Sequence, residues 1–130
     1  MNYIQIVDGK AYIPKSKILN IEIEDRFKFK KDFIKSRTGI EKRYYAINES
    51  IEEMAVKAVE KIDIDKLQDV EMIIVATTSS NNAMPGISNQ IQKHFKITKC
   101  MCLDIFAGCG GFINAIDIAK IYIETGRINK

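Results

Sequence analysis

Asp104-Ile105-Phe106-Ala107-Gly108-Cys109-Gly110-Gly111-Phe112 is the stretch whose reading decides the fold. It joins an apolar strand, Cys100–Ala107, to an apolar helix running from Cys109 to a stop at Gly126, with a cysteine at the bend. Amides at the start of a helix point toward the turn before it, and the helix dipole favours negative charge there, so a thiolate at Cys109 is stabilised. Gly108, Gly110 and Gly111 clear side chains from around it, and the Cys109 amide becomes available to a developing oxyanion. This is the arrangement of a nucleophile elbow. A small buried residue filling a tight strand-to-helix junction reads equally from the local pattern. Phosphate is a weak rival, because Gly108-Cys109-Gly110-Gly111 fits neither the dinucleotide fingerprint nor the P-loop.

Outward from this turn the elements alternate. In the last helix Asn114, Asp117, Lys120 and Glu124 form one narrow polar stripe, so burial nearly all round is expected. Met72–Ala76 is a short solid apolar run suited to a strand covered on both faces, and it ends in the polar loop Thr77–Asn82. Pro85 stands where a first-turn proline opens a helix, with Ile87, Ile91 and Phe95 spaced by four. Ser50-x-x-Glu53 is a capping box ahead of Ile51, Met54, Ala55, Ala58, Val59 and Ile62 on one helical face. Met1–Pro14 reads as a first strand, with Gly9 a turn or bulge. Ser16–Gly39 reads as two helical pieces, Asn20 capping the first and Gly39 stopping the second. The pattern implies a layered α/β domain with a mostly parallel sheet.

Composition narrows the class. The chain has 130 residues, is 46% hydrophobic and carries a net charge of +3, which suits a globular domain that needs no staples and is too mild for a nucleic-acid coat. No signal peptide or membrane span is read from it, and the three cysteines, an odd count, favour reduced thiols and a cytoplasmic location. Cys100 and Cys102 share a strand face but lack two further ligands, so they read as core and no metal is expected. His94, the one histidine, reads as a helix surface residue. Charge is concentrated in Arg26–Arg43, where eight basic residues meet two acids while Phe27, Phe29 and Phe33 interleave. That mixture suits a nucleotide-bearing ligand or an acidic partner, although from the basic run alone a solvated charged face is the favoured reading.

Four ordered segments resemble one family. Phe33-Ile34-Lys35-Ser36-Arg37-Thr38-Gly39-Ile40-Glu41-Lys42-Arg43 is similar to the W-I-x-x-R-T-G-I-x-x-R stretch of the β-ketoacyl-acyl-carrier-protein synthase III family. Ile73–Ser79 resembles its second core strand, Met84-Pro85 with Gln90-Ile91-Gln92 the following segment, and Asp104–Phe112 the nucleophile segment. The resemblance implies a thiolase-like α/β/α fold and a homodimer. It also implies acyl transfer in fatty acid biosynthesis: a cysteine takes an acyl group from acyl-coenzyme A, and decarboxylated malonyl-acyl-carrier protein then attacks the thioester. Cys109 is carried over as nucleophile, with Phe33 in place of a tryptophan that stacks on the coenzyme's adenine and Arg37 at the position of an adenine-contacting arginine. Met84 takes the place of a residue that reaches a neighbouring subunit's acyl pocket. Acyl-coenzyme A enters as substrate, without a separate cofactor, and acyl-carrier protein as partner; neither nucleic acid nor membrane is implied. Since family members are more than twice as long, residues 1–130 are expected to be an N-terminal half-domain lacking the decarboxylating histidine and asparagine. A related acyltransferase of secondary metabolism and a non-catalytic, partner-binding remnant are the alternatives.

Overall fold

The computed structural model describes residues 4–80 and 84–130. Met1 and Tyr3 of the expected first strand, and Asn81 and Asn82 of the loop after the second, lie outside the described residues. The chain forms two compact units: residues up to Tyr12 together with Ile51–Lys130, and Ile13–Ser50.

In the second of these units, β1 (Ser16–Leu19) pairs antiparallel with β2 (Lys42–Tyr45), Ser16 opposite Tyr45 and Leu19 opposite Lys42. Between them run α1 (Asn20–Phe27) and α2 (Phe33–Thr38). Two helical pieces and a left-handed Gly39 stop, at φ 70°, are as expected. Ser16–Leu19 is a correction, a strand where helix was expected, because its backbone finds a partner more than twenty residues away. Asn20 is a second correction: Leu19 is the N-cap of α1, and the Asn20 side chain donates to the Ile40 carbonyl and accepts from Arg43 Nη1 at 3.1 Å.

The larger unit holds α3 (Ile51–Val59), β3 (Met72–Ala76), α4 (Ile87–His94), β4 (Met101–Ile105) and α5 (Gly111–Glu124). Strands β3 and β4 pair in parallel, Met72 opposite Met101 and Ala76 opposite Ile105, and Thr77 N donates to Ile105 O to extend the ladder. Helix α3 begins directly after Ser50, as its sequence requires. Ile87 and Ile91 of α4 are buried, at 1% and 4% exposure, each contributing about 1.5–3 kcal/mol of burial. Residues Ile128–Lys130 return to the start of β3, where Glu71 N donates to Lys130 O at 2.8 Å and the buried Ile128 packs.

Three further expectations are corrected. Residues 4–13 form no strand: Ile6 and Val7 lie exposed, and the segment is tied by side chains instead. Asp8 pairs with Lys10 and Lys66, and Lys61 Nζ donates to Ala11 O at 2.6 Å. A strand needs a partner for its ladder, and β3 and β4 already pair with each other. Pro85 is not the first helical residue, because α4 starts at Ile87 with Gly86 as N-cap. Finally, α5 is covered on one side only. Gly111 is buried against β3, whereas Phe112, Ile113 and Ile121 face outward, Phe112 at 67% exposure. Among the described residues no second layer exists to cover the other side, which is why an almost wholly apolar helix stays half open.

Candidate functional site: a cysteine turn and an aromatic strip

Cys109 occupies a single 3-10 turn, Gly108–Gly110, between β4 and α5, and is exposed. The turn needs Gly108, whose φ of +54° is the left-handed region that side chains resist. Gly110 is different: its backbone is ordinary right-handed helix, and a Cβ there would meet nothing within 4 Å. Gly111 is required by contact, since its Cβ would sit 3.1 Å from that of Ala76. The end of β3 thus supports the start of α5, and the cysteine is left exposed between two glycines.

The strand before the turn is held by an unforeseen clasp. Asp104 Oδ2 accepts from Ile87 N at 2.5 Å and Oδ1 from Ser88 N at 2.9 Å, so a strand carboxylate caps the first amides of α4. A carboxylate inside the apolar run Cys102-Leu103-Asp104-Ile105 was the available sequence signal. Gly86 is glycine because a Cβ there would lie 2.5 Å from Asp104 Oδ2. Met84, two residues earlier and joined to Pro85 by a cis peptide bond, is 85% exposed. Asp104 therefore ties the Met84 turn to the strand that carries Cys109.

Cys100, just before β4, and Cys102, on it, are half-buried, and the Cys100 thiol donates to the Met101 carbonyl at 3.5 Å. Burial, then the charge of Cys102, pushes the Cys100 thiol up to about 11, and burial raises Cys102 as well. Both belong to packing. His94 is half exposed, with Nε2 3.2 Å from Glu60 Oε1, on the helix surface where its sequence position put it. Among the described residues no cluster of three or more metal-ligating side chains forms, and no helix is long and apolar enough to cross a membrane.

The Ile13–Ser50 unit carries the other candidates. Arg37 Cζ lies 5.8 Å from the centre of the Phe33 ring, so these two stand together on α2. The rings continue past Phe33. Phe29 is 5.1 Å from it, Phe27 is 6.0 Å from Phe29, and Arg26 Cζ sits 5.6 Å from the Phe27 ring, giving a strip capped at each end by a guanidinium. Glu24 organises it. Only 3% exposed, its carboxylate accepts from Asp32 N at 3.1 Å and Ile34 N at 2.9 Å, while its carbonyl accepts from Phe29 N at 2.9 Å. Lys28 and Asp32 take left-handed conformations to make the loop close around it. Sequence pattern gave no sign of this, since a glutamate in Ile21-Glu22-Ile23-Glu24 reads as solvated. Lys35 Nζ and Glu41 Oε1 form a surface pair at 2.6 Å that raises the lysine pKa and lowers the glutamate's.

No family model matches the chain. It is 36% identical over 131 residues to β-ketoacyl-[acyl-carrier-protein] synthase III of Salmonella typhimurium, covering 97% of this chain and 41% of that protein. It is 32% identical over 130 residues to the Clostridium acetobutylicum protein of the same name, covering 97% and 40%. Among solved structures, the β-ketoacyl-[acyl-carrier-protein] synthase III of Thermus thermophilus superposes with a TM-score of 0.85 at 30% identity, over 95% of this chain and 39% of that one. The chain therefore spans about two-fifths of the length of the relatives it matches. It is homologous to that part of β-ketoacyl-[acyl-carrier-protein] synthase III and has the thiolase-like α/β fold.

Proposed function

We propose that this chain carries the acyl-accepting half of a β-ketoacyl-[acyl-carrier-protein] synthase III, with Cys109 as the nucleophile and acyl-coenzyme A as the donor. The observation that carries the reading is the exposed Cys109 on a glycine-cleared turn that directly precedes the 14-residue helix α5. The Cys109 sulfur, as thiolate, attacks the thioester carbonyl; the new carbon–sulfur bond forms as the carbonyl electrons move onto oxygen, toward the Cys109 amide. Collapse breaks the bond to the coenzyme sulfur, which leaves and takes up a proton, so the acyl group is moved without oxidation or reduction. Phe33 and Arg37 hold the coenzyme's adenine end by stacking and charge. Met84, presented outward by the Asp104 clasp, contributes to the acyl pocket of a neighbouring copy. Condensation with malonyl-acyl-carrier protein, the step that begins fatty acid synthesis, requires groups outside residues 1–130, and the isolated chain is not competent for it. Its setting is the cytoplasm.

Intact-mass analysis after incubation with acetyl-coenzyme A tests this. The expected result is one acetyl addition, absent in Cys109→Ser. Label that persists in Cys109→Ser overturns the nucleophile assignment, and ketoacyl product formed by this chain alone overturns the half-enzyme reading.

A further inference from the structure

Resting on the reading of Phe33 and Arg37 as the adenine-holding pair, we infer that Phe29 is a second stacking residue of the same site, and that it confers preference for a purine. One phenyl ring is smaller than a fused purine, so Phe33 alone leaves part of such a base unsupported. Phe29 stands 5.1 Å from Phe33 with its ring inclined at 39°, so the two make a shallow trough. Both are exposed, Phe29 at 47% and Phe33 at 40%, and with the exposed Phe27 they form a contiguous apolar patch of the kind that marks a binding surface. Phe27 backs Phe29 from the far side, 6.0 Å away and nearly parallel to it, and Arg37 closes the other end.

The trough is built before any ligand arrives. Glu24, buried, fixes the Phe29 amide through its carbonyl and the Asp32 and Ile34 amides through its carboxylate, so both rings are carried by one rigid loop. A preformed platform loses little side-chain freedom on binding. Lys28, Lys30 and Lys31, exposed in the segment that carries Phe29, add positive charge suited to the phosphates of a nucleotide.

The experiment is calorimetric titration of the full chain with adenosine 3′,5′-bisphosphate and, separately, with cytidine 3′,5′-bisphosphate. Wild type is expected to bind the adenine compound more tightly. Phe29→Leu keeps apolar bulk but loses the ring face; it should weaken the adenine compound about fivefold or more, in the range of a lost base–aromatic stack, and shrink the preference over cytosine. Phe29→Trp should restore both. Should Phe33→Ala weaken binding while Phe29→Leu does not, the inference is wrong and the reading of Phe33 stands. Equal losses for both bases in Phe29→Leu overturn the purine platform. If Phe33→Ala, Arg37→Ala and Phe29→Leu all bind as wild type, the adenine reading itself is wrong and this inference falls with it.

Discussion

Asp104 and Gly86 are shaped to each other: both oxygens of the carboxylate are engaged by amides just past Gly86, and a single added carbon on that glycine would stand 2.5 Å from Oδ2. Each is tolerable only because of the other. Gly86→Ala should cost about 2–3 kcal/mol, as overpacking against a polar partner does, and Asp104→Ala a similar amount through the lost cap. The double change should cost clearly less than the two added together, because removing the carboxylate removes the clash. Urea unfolding of the four proteins measures this, and strict additivity would contradict it.

The three thiols should react in a fixed order. At pH 8 iodoacetamide is expected to modify Cys109 first, since it is exposed, while Cys100 and Cys102 are half-buried with raised pKa values. A thiol that holds its proton longer in the folded chain than in the unfolded one stabilises the fold below the unfolded value. That contribution is lost as pH climbs through the folded value. Between about 9 and 11 stability should therefore fall, and Cys100 should label as it does. Peptide mass mapping across that range decides it; equal labelling of Cys100 and Cys109 at pH 8 would count against the arrangement.

The glycines around the cysteine should divide. Gly110→Ala meets open space in right-handed backbone and should leave stability unchanged or raise it by up to about 1 kcal/mol. Gly108→Ala forces a side chain to φ +54° and should cost about 1–2 kcal/mol. Thermal melts of both variants check the contrast, and a destabilised Gly110→Ala would mean that the turn is not as the geometry describes.

What could be read in advance was whatever repeats along the chain. The apolar runs of β3 and β4, the four-residue spacing of Ile87 and Ile91, and the start of α3 after Ser50 are local patterns, and each element stands where its pattern put it. Contacts made at a distance left no such trace. Ser16–Leu19 is a strand only because Lys42–Tyr45 lies beside it, and residues 4–13 fail to be one for want of a neighbour. Glu24 and Asp104, which shape the aromatic strip and the cysteine strand, are acids whose importance rests on amides eight to seventeen residues away. The apolar breadth of α5 was legible, yet it describes what the helix can be covered by rather than what covers it here.

Charge and stacking at the basic segment are separable. Arg37→Ala and Lys28→Ala remove one charge each, but only Arg37 stands over the Phe33 ring. Coenzyme A binding should weaken about fivefold or more in Arg37→Ala and less in Lys28→Ala. Equal losses that vanish together in high salt would indicate a plain solvated charged face.

The open side of α5 should drive self-association. Phe106, Phe112, Ile113 and Ile121 are all more than half exposed, an apolar surface that monomers seldom keep, and among the described residues β3 and β4 pair only with each other. A homo-oligomer at micromolar concentration is expected by light scattering, with Phe112→Ser plus Ile113→Ser shifting it toward monomer. A stable wild-type monomer would refute the expectation.

The hydrogen bond from Glu71 N to Lys130 O has a topological consequence. The run Glu71–Lys130 contains β3, α4, β4 and α5, and it finishes where it began, with Asn129 N also donating to the Glu71 carboxylate. A stretch whose two ends already touch loses almost nothing to loop closure when they are joined, so it is transposable. Cutting the bond between residues 70 and 71, linking residue 130 to residue 71 by a short glycine bridge and reopening that ring at the exposed tip between α4 and β4 gives a circular permutant of this run, with the order of synthesis changed and the parallel pairing of β3 with β4 kept.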